Sequence, residues 1–475
     1  MTDNLDPEDW QAFRAASHDA LDRMIDFLQT VCERPVWREA PADVRRRFQS
    51  GLPRGARDFV DVLDDFEANI KPYAVGNPHP LFMGWVHGAG TPVGMIAEML
   101  AAGLNANCGG RNHIGIDVER QIARWAAELF AFPPSASGLF VTGSSAANFL
   151  GLLVARDAAK GHGVRRIGLS ASGGQLVAYA SAEAHGCVAQ AMELAGVGSA
   201  YLRAIPVDSS AAIHTDLLEM AISADRDAGL SPFLIVGTAG TVNTGAIDSL
   251  TDLSAIARKY RLWFHIDGAF GAMAALSGAL RPKLAGIELA DSIALDFHKW
   301  AHVPYDAGFF LVRDGQMHRA AFASAAAYLQ RATRGLAAGE IWPCDLGPDL
   351  SRGFRALKTW FTFQVHGGDK IGRAIEANCA NARYLEQALA RSETFELRAP
   401  VALNIVCFAL QAGWPDEAND AIVIDLQERG VAAPSTTRLG GRPVIRAAIV
   451  NHRTTAADID HFVAALHEAA ARIKR

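Results

Sequence analysis

The chain has 475 residues, half of them hydrophobic and a fifth charged, about three times the roughly 150 residues of a typical domain. A short peptide, a single small binding module and a mostly disordered chain are excluded. Lys and Arg number 45 against 51 Asp and Glu, a net charge of −6, too balanced to serve a phosphate backbone, so no nucleic-acid partner is expected. No apolar run approaches the ~20 residues of a bilayer span, and the first residues are acidic rather than a basic flank to an apolar leader. A cytoplasmic protein with no membrane partner is the expectation. The cysteines at 32, 108, 187, 344, 379 and 407 show no C-x-x-C pair or nearby His cluster, which argues for reduced, partly buried thiols and no metal site.

The first element in chain order is an amphipathic helix, capped by Asp6 with Pro7 in its first turn. Trp10, Phe13, Leu21, Met24, Ile25 and Leu28 recur along it at three- and four-residue spacing. Residues 35–55, rich in Pro and Arg, read as a connector. From Gly84 onward, short β-branched or aromatic runs at 139–141, 176–179, 204–207, 233–236, 262–266, 292–295 and 308–312 alternate with helical patterns such as 215–227 and 250–260. This pattern predicts an α/β unit with a mostly parallel seven-stranded sheet, its ligands beyond the carboxyl ends of the strands. Residues 325–351, studded with Gly and Pro, form a long loop with the character of a functional lid. A long helix from Arg352 then precedes strands near 395–398, 404–408 and 444–450, a helix at 419–429 and a terminal helix from Thr455, a smaller α+β unit. The expected division is an N-terminal helical arm (1–83), a large ligand-binding domain (84–324), an active-site loop (325–351) and a small C-terminal domain (352–475).

The sharpest chemical signal is Asp296-Phe-His-Lys299-Trp300, directly after a buried strand. A lysine there either snorkels out to water or, poorly hydrated, serves as an amine nucleophile able to form a Schiff base. His265-Ile-Asp267 closes another apolar strand, bringing Asp267 into the same crevice. A buried carboxylate needs a cation, either Lys299 itself or a protonated pyridine nitrogen whose ring then serves as an electron sink. Val141-Thr-Gly143-Ser144-Ser145 turns a strand into a helix and presents N–H groups and hydroxyls to one point, as an ordinary N-cap or a phosphate anchor. Phosphate anchor, pyridinium partner and aldehyde-capturing lysine are together the attachments of pyridoxal 5′-phosphate. His185, after the strand at 176–179, can stack on the cofactor ring, and Thr241, in a turn after the strand at 233–236, can reach its periphery.

On these motifs, with Asn77-Pro-His-Pro80, residues 350–360 and residues 445–454, the chain resembles the group II pyridoxal-phosphate-dependent decarboxylases, the family of aromatic-L-amino-acid decarboxylase, within the fold-type-I enzymes. The resemblance implies that Lys299 holds the cofactor, Asp267 binds its pyridine nitrogen, and His185 stacks on the ring and assists protonation. Ala269 would press the opposite face, Ser144, Ser145 and His298 would lie at the phosphate, and Thr241 near the ring substituents. It also implies an obligate homodimer whose sites lie at the interface and whose N-terminal helices wrap the partner. Decarboxylation of an L-amino acid, most simply an aromatic one, to the amine and CO₂ is the expected reaction.

Three departures from the family pattern bear on this. The loop tyrosine that protonates Cα in relatives is missing from residues 339–349, Tyr328 lying too early, which leaves His185, Tyr305 or an unassigned loop group as the acid. Relatives without that tyrosine can consume O₂ and release an aldehyde, so a decarboxylating oxidative deaminase is the alternative. The substrate pocket would draw on Trp85, His87, Asn107, Arg111 and His113. Arg111 would hold a second carboxylate of an acidic substrate or pair with an interface acid. Ala146 replaces a glutamate usual beside the phosphate turn. A catalytically silent scaffold is disfavoured by the presence of Lys299, Asp267 and His185 together.

Overall fold

The computed structural model describes residues 4–323, 331–339 and 341–473. The first helix runs Trp10–Gln29, and its cap is Asp9 rather than Asp6: the Asp9 carboxylate accepts from the N–H groups of Gln11 (2.8 Å) and Ala12 (3.0 Å). Asp6 is engaged in its own turn with Asn4, and capping falls to Asp9. No residue of this helix is buried within the chain, and Trp10 is 59 % exposed.

Seven strands form the large sheet: β1 (Ser137–Val141), β2 (Leu176–Ser181), β3 (Leu202–Ile205), β4 (Ser231–Thr238), β5 (Trp263–Asp267), β6 (Ser292–Asp296) and β7 (Gly308–Val312). Their order is β1-β7-β6-β5-β4-β2-β3, with only β7 opposed to its neighbours. Every residue of β2, β5, β6 and β7 is buried, as a sheet covered by helices on both faces requires. One face packs on helices Ile114–Leu129, Thr215–Asp227 and Leu250–Tyr260, the other on Ser144–Lys160 and Cys187–Leu194. The third strand begins two residues before the expected run and stops at Ile205, because Pro206 has no N–H to give the ladder.

A second sheet, β8 (Phe395–Leu397), β9 (Ile405–Leu410), β10 (Ser435–Leu439) and β11 (Arg442–Ala448), is wholly antiparallel in the order β10-β11-β9-β8. Strand β10 was not expected. Its sequence Ser-Thr-Thr-Arg-Leu is polar, and its signal is the turn that follows, where Gly440 and Gly441 take φ of +56° and +79°. The single long helix expected from Arg352 is two, Arg355–His366 and Gly368–Ala390, separated by Gly367 at φ +72°. Leu81 and Met83 are buried in the core of this C-terminal unit, and Phe82 bridges to Ala433. Among the described residues no helix is long and apolar enough to cross a membrane.

Candidate active site

The sheet register brings the chemistry together before any side chain is considered. Thr238 at the end of β4 lies abreast of Asp267 at the end of β5, and β6 ends at Asp296 on the adjoining strand. Beyond these ends is a cavity of about 350 Å³. Trp85, His87, Ser144, Ser145, His185, Asp267, Ala269, His298 and Lys299, all expected at the site, line it.

Asp267 is almost fully buried and takes one protein hydrogen bond, from Ala269 N–H to Oδ1 (3.1 Å). Burial pushes its carboxyl above the ordinary range, with the charge of Lys299 opposing only in part. The ammonium of Lys299 pairs instead with Asp296 Oδ2, at 3.0 Å. The alternative in which Asp267 is simply the ion partner of Lys299 is therefore not what the chain builds. Among the described residues the carboxylate, which lines the cavity, has no ion pair of its own.

The strand-to-helix turn at Gly143 begins the helix Ser144–Lys160, which has no side-chain cap, so the N–H groups of its first turn remain available to a ligand. A Cβ on Gly143 would meet His298 Cε1 at 3.7 Å and Asp296 Oδ1 at 3.8 Å, filling the concavity the glycine leaves open. Ser144 Oγ–H donates to Asp296 Oδ2 (2.8 Å). Burial lowers the pKa of the His298 imidazole to about 4, and its Nδ1 accepts from Ala307 N–H (3.0 Å). Behind the turn, Asn148 Oδ1 meets His265 Nε2 and Ser292 Oγ meets His265 Nδ1, both at 2.8 Å, which ties the helix to β5 and β6. His185 lines the cavity, its Nδ1 accepting from Cys187 N–H (3.1 Å).

Also lining the cavity, Trp85 and His87 stack at 5.5 Å, His87 meets Tyr305 edge-on at 6.1 Å, and Tyr305 lies 4.2 Å from His298. Arg446 holds the Trp85 carbonyl (2.9 Å), fixing that residue at φ +51°. Tyr305 is a lining residue whose phenol burial pushes to about 12.

Four expected residues lie elsewhere. Thr241 spends its hydroxyl within its own turn, on Thr244 Oγ1 (2.9 Å) and Ala246 N–H (3.1 Å), and its neighbours Gly240 and Val242 face the cavity instead. Asn107 Oδ1 accepts from the N–H groups of Gly109 (2.9 Å) and Arg352 (3.0 Å), a purely internal brace. His113 caps the helix Ile114–Leu129, and Arg111 lies over the ring of Trp342 at 4.8 Å. None of these four lines the cavity of its own chain. Tyr328 lies outside the described residues.

Residues 41–411 match the pyridoxal-dependent decarboxylase conserved domain. The chain belongs to the pyridoxal-dependent decarboxylase family. This decarboxylase is 32 % identical over 459 residues to an aromatic-L-amino-acid decarboxylase of Bacillus atrophaeus, covering 94 % of the chain and 92 % of that protein. It is 27 % identical to a phenylacetaldehyde synthase of Arabidopsis thaliana over 94 % and 93 % of the two chains. Among solved structures it resembles Oryza sativa TDC with PLP and tryptamine at a TM-score of 0.90, 24 % identity, over 99 % of this chain and all of that one. Its cofactor is pyridoxal 5′-phosphate, and the site fits it. The open Gly143 turn offers N–H donors to a phosphate, and Asp267 is a buried anion still lacking a cation.

The residue that sequence reasoning quoted without giving it a task is Asp296, which contacts both Ser144 and Lys299. Its signal was present: a carboxylate three residues before the key lysine, at the end of the same buried strand.

Proposed function

We propose that this decarboxylase acts on an aromatic L-amino acid and yields the amine and CO₂. The observation that carries the substrate class is the cluster of Trp85, His87 and Tyr305 rings lining the same cavity as Asp267 and Lys299. Trp85 holds a left-handed backbone that a bulky residue seldom adopts, as befits a side chain fixed for recognition.

When bound, pyridoxal phosphate supplies an aldehyde for covalent attachment and a ring that accepts the electron pair left by departing CO₂. The chain provides the rest. Lys299 Nζ supplies the amine that holds the cofactor between turnovers and exchanges with the substrate amine. Asp267 keeps a proton on the ring nitrogen, which a carboxylate in so dry a place does strongly. Ser144, Ser145 and His298 would hold the phosphate, and Ala269 and His185 would bound the ring. His185 and Tyr305 are the lining groups able to bring a proton to Cα.

A second reading has a specific support. Residues 331–339 and 341–351 contain no tyrosine, and one relative is named an aldehyde synthase. In that reading CO₂ release is followed by a two-electron oxidation in which O₂ becomes H₂O₂, and water supplies the aldehyde oxygen as ammonia leaves. Within its own chain Arg111 lies over Trp342 and does not line the cavity, which favours an aromatic over an acidic substrate.

The protein as we read it is a cytoplasmic homodimer of four parts, 1–83, 84–324, 325–351 and 352–475, of which residues 324–330 and 340 lie outside the described ones. The unburied apolar faces of Trp10, Phe13 and Ile25, and of Met99, Leu104 and Ile114, support a partner copy covering them. In such a dimer Asn107, Arg111 and His113 serve the interface.

The test is one panel of amino acids assayed for CO₂, amine, aldehyde and O₂ uptake. Equal CO₂ and amine from tryptophan, tyrosine, phenylalanine or dihydroxyphenylalanine, without O₂ uptake, is the expected result. O₂ consumed in step with CO₂, with aldehyde formed, assigns the second reading. Turnover of acidic amino acids alone overturns the aromatic one.

A further inference from the structure

A second cavity, of about 380 Å³, lies in the core on the side of the sheet that packs on the helix Ile114–Leu129. It is of the size that small molecules occupy, and it shares no lining residue with the cofactor cavity. Its walls are apolar and largely aromatic. Trp125, Leu129, Met273, Phe297 and Phe363 line it, with the Trp125 and Phe363 rings 6.3 Å apart and those of Phe297 and Phe363 5.8 Å apart.

Two exposed charged side chains complete the lining, Glu128 and Arg281. They do not pair with each other, and among the described residues neither has another ion partner; Arg281 donates only to the Leu129 carbonyl, at 3.3 Å. Both charges are therefore left to a ligand. A ligand carrying a lone carboxylate would gain Arg281 but be opposed by Glu128, and one carrying a lone ammonium would meet the reverse. A zwitterion with an apolar body satisfies both charges and the walls, and the ring-lined interior selects an aromatic body. That combination is an aromatic α-amino acid.

One residue links this cavity to the chemistry. Phe297 stands in the chain between Asp296 and His298, which line the cofactor cavity, and its backbone is held by Ala307 (2.9 Å) and Val303 (3.2 Å). The turn that leads to Lys299 thus contributes to the walls of both cavities. A second copy of the chain is a poorer occupant, because Ile114, which the partner covers in our reading of the dimer, lies about 22 Å from Leu129 at the other end of the same helix.

We propose that this cavity is a second, non-catalytic binding site for an aromatic α-amino acid, its carboxylate toward Arg281 and its ammonium toward Glu128, and that occupancy alters turnover through Phe297. The test uses the holoenzyme reduced with borohydride, which fixes the cofactor to the chain and removes its aldehyde from competition. Calorimetric titration compares L-tryptophan with tryptamine and indole-3-propionate. L-Tryptophan binds at one site per chain, at least about fivefold tighter than either singly charged analogue. Arg281→Gln weakens L-tryptophan and indole-3-propionate about three- to tenfold and does not weaken tryptamine, and Glu128→Gln gives the mirror pattern. In the unreduced enzyme both variants keep the wild-type kcat/KM at low substrate but lose the departure from simple saturation that the wild type shows at high concentration.

Absence of binding to the reduced enzyme up to about 10 mM, or binding that neither substitution weakens, overturns the site. A shift of the subunit equilibrium in Arg281→Gln without amino-acid binding gives the cavity to a second copy instead. Simple saturation kinetics in the wild type overturns the link through Phe297. Because the titration involves no turnover, its outcome is separate from the fate of the substrate reading above.

Discussion

The floor of the cavity and its rim are built on different principles. The floor is set by strand ends: Asp267 and Asp296 close neighbouring strands whose every residue is buried, and their positions follow from sheet register alone. The rim is set by irregular segments held in place by side chains. Trp85 is fixed by Arg446, and the stretch of residues 107–113 is braced by Asn107 and by the ring of Trp342. Register tolerates little variation and makes the floor the seat of the shared chemistry. Braced loops can be rebuilt one contact at a time, which makes the rim the seat of selectivity.

The largest effect should come from the floor. Asp267→Asn removes the charge that secures the ring nitrogen's proton and should lower kcat/KM about a hundred- to a thousandfold while Lys299 still develops the cofactor's colour. Stability moves the other way. Burial raises the folded pKa of Asp267 above its unfolded value, so its penalty is absent below the unfolded pKa and grows as pH rises through the folded one. At neutral pH the cofactor-free Asp267→Asn protein should melt about 1–4 °C higher than the wild type. Equal melting of the two would mean that Asp267 already has a cation, and the contrast between floor and rim would fail at its central residue.

A second break lies where the rim is tied to the core. Arg352 is buried and reaches Glu119 through both nitrogens, at 2.6 and 3.0 Å, while donating to the carbonyls of Cys108 (3.0 Å) and Phe140 (2.7 Å). Glu119 also accepts from Phe140 N–H (3.1 Å). One ion pair thus joins β1, the helix Ile114–Leu129 and both loop segments. Glu119→Ala strands a buried guanidinium and should cost about 3–5 kcal/mol in urea unfolding, with Glu119→Gln losing clearly less. Similar losses in both variants would show that the charge, not the set of acceptors, holds the rim.

This contrast also explains what could be read from the chain. The buried strands were legible because apolar runs bounded by turn residues have few other uses, and Lys299, Asp267 and the Gly143 turn followed because they sit at the ends of those runs. The polar strand β10 escaped because its neighbours, not its composition, make it a strand. The break at Gly367 was written as a Gly-Gly pair inside a helical pattern and was passed over. Thr241, Asn107, Arg111 and His113 are engaged within their own chain by local hydrogen bonds and a ring contact that a sequence does not display. Asp296 was the reverse case, quoted inside a motif whose lysine drew all the attention.

Arg111 offers the smallest effect and the finest discrimination. Its guanidinium lies 4.8 Å from one face of the Trp342 ring, Arg331 lies 3.5 Å from the ring, and Arg331 is paired with Asp345 at 2.6 Å. Glycines make the approach feasible: a Cβ on Gly110 would strike Trp342 at 2.6 Å, and one on Gly109 would strike the Leu350 carbonyl at 1.8 Å. The segment of residues 107–113 is thus a bed on which the far end of the loop lies. Arg111→Ala removes one exposed cation–π contact worth about 0.5–1 kcal/mol, so trypsin cleavage between residues 331 and 339 should quicken about two- to fivefold. Cofactor absorbance should be unchanged, and kcat/KM for an aromatic substrate should fall by less than about fivefold. If the substitution instead abolishes turnover of a dicarboxylic amino acid and leaves trypsin cleavage as it was, Arg111 belongs to the substrate and the rim reaches further into the chemistry than its contacts within one chain convey.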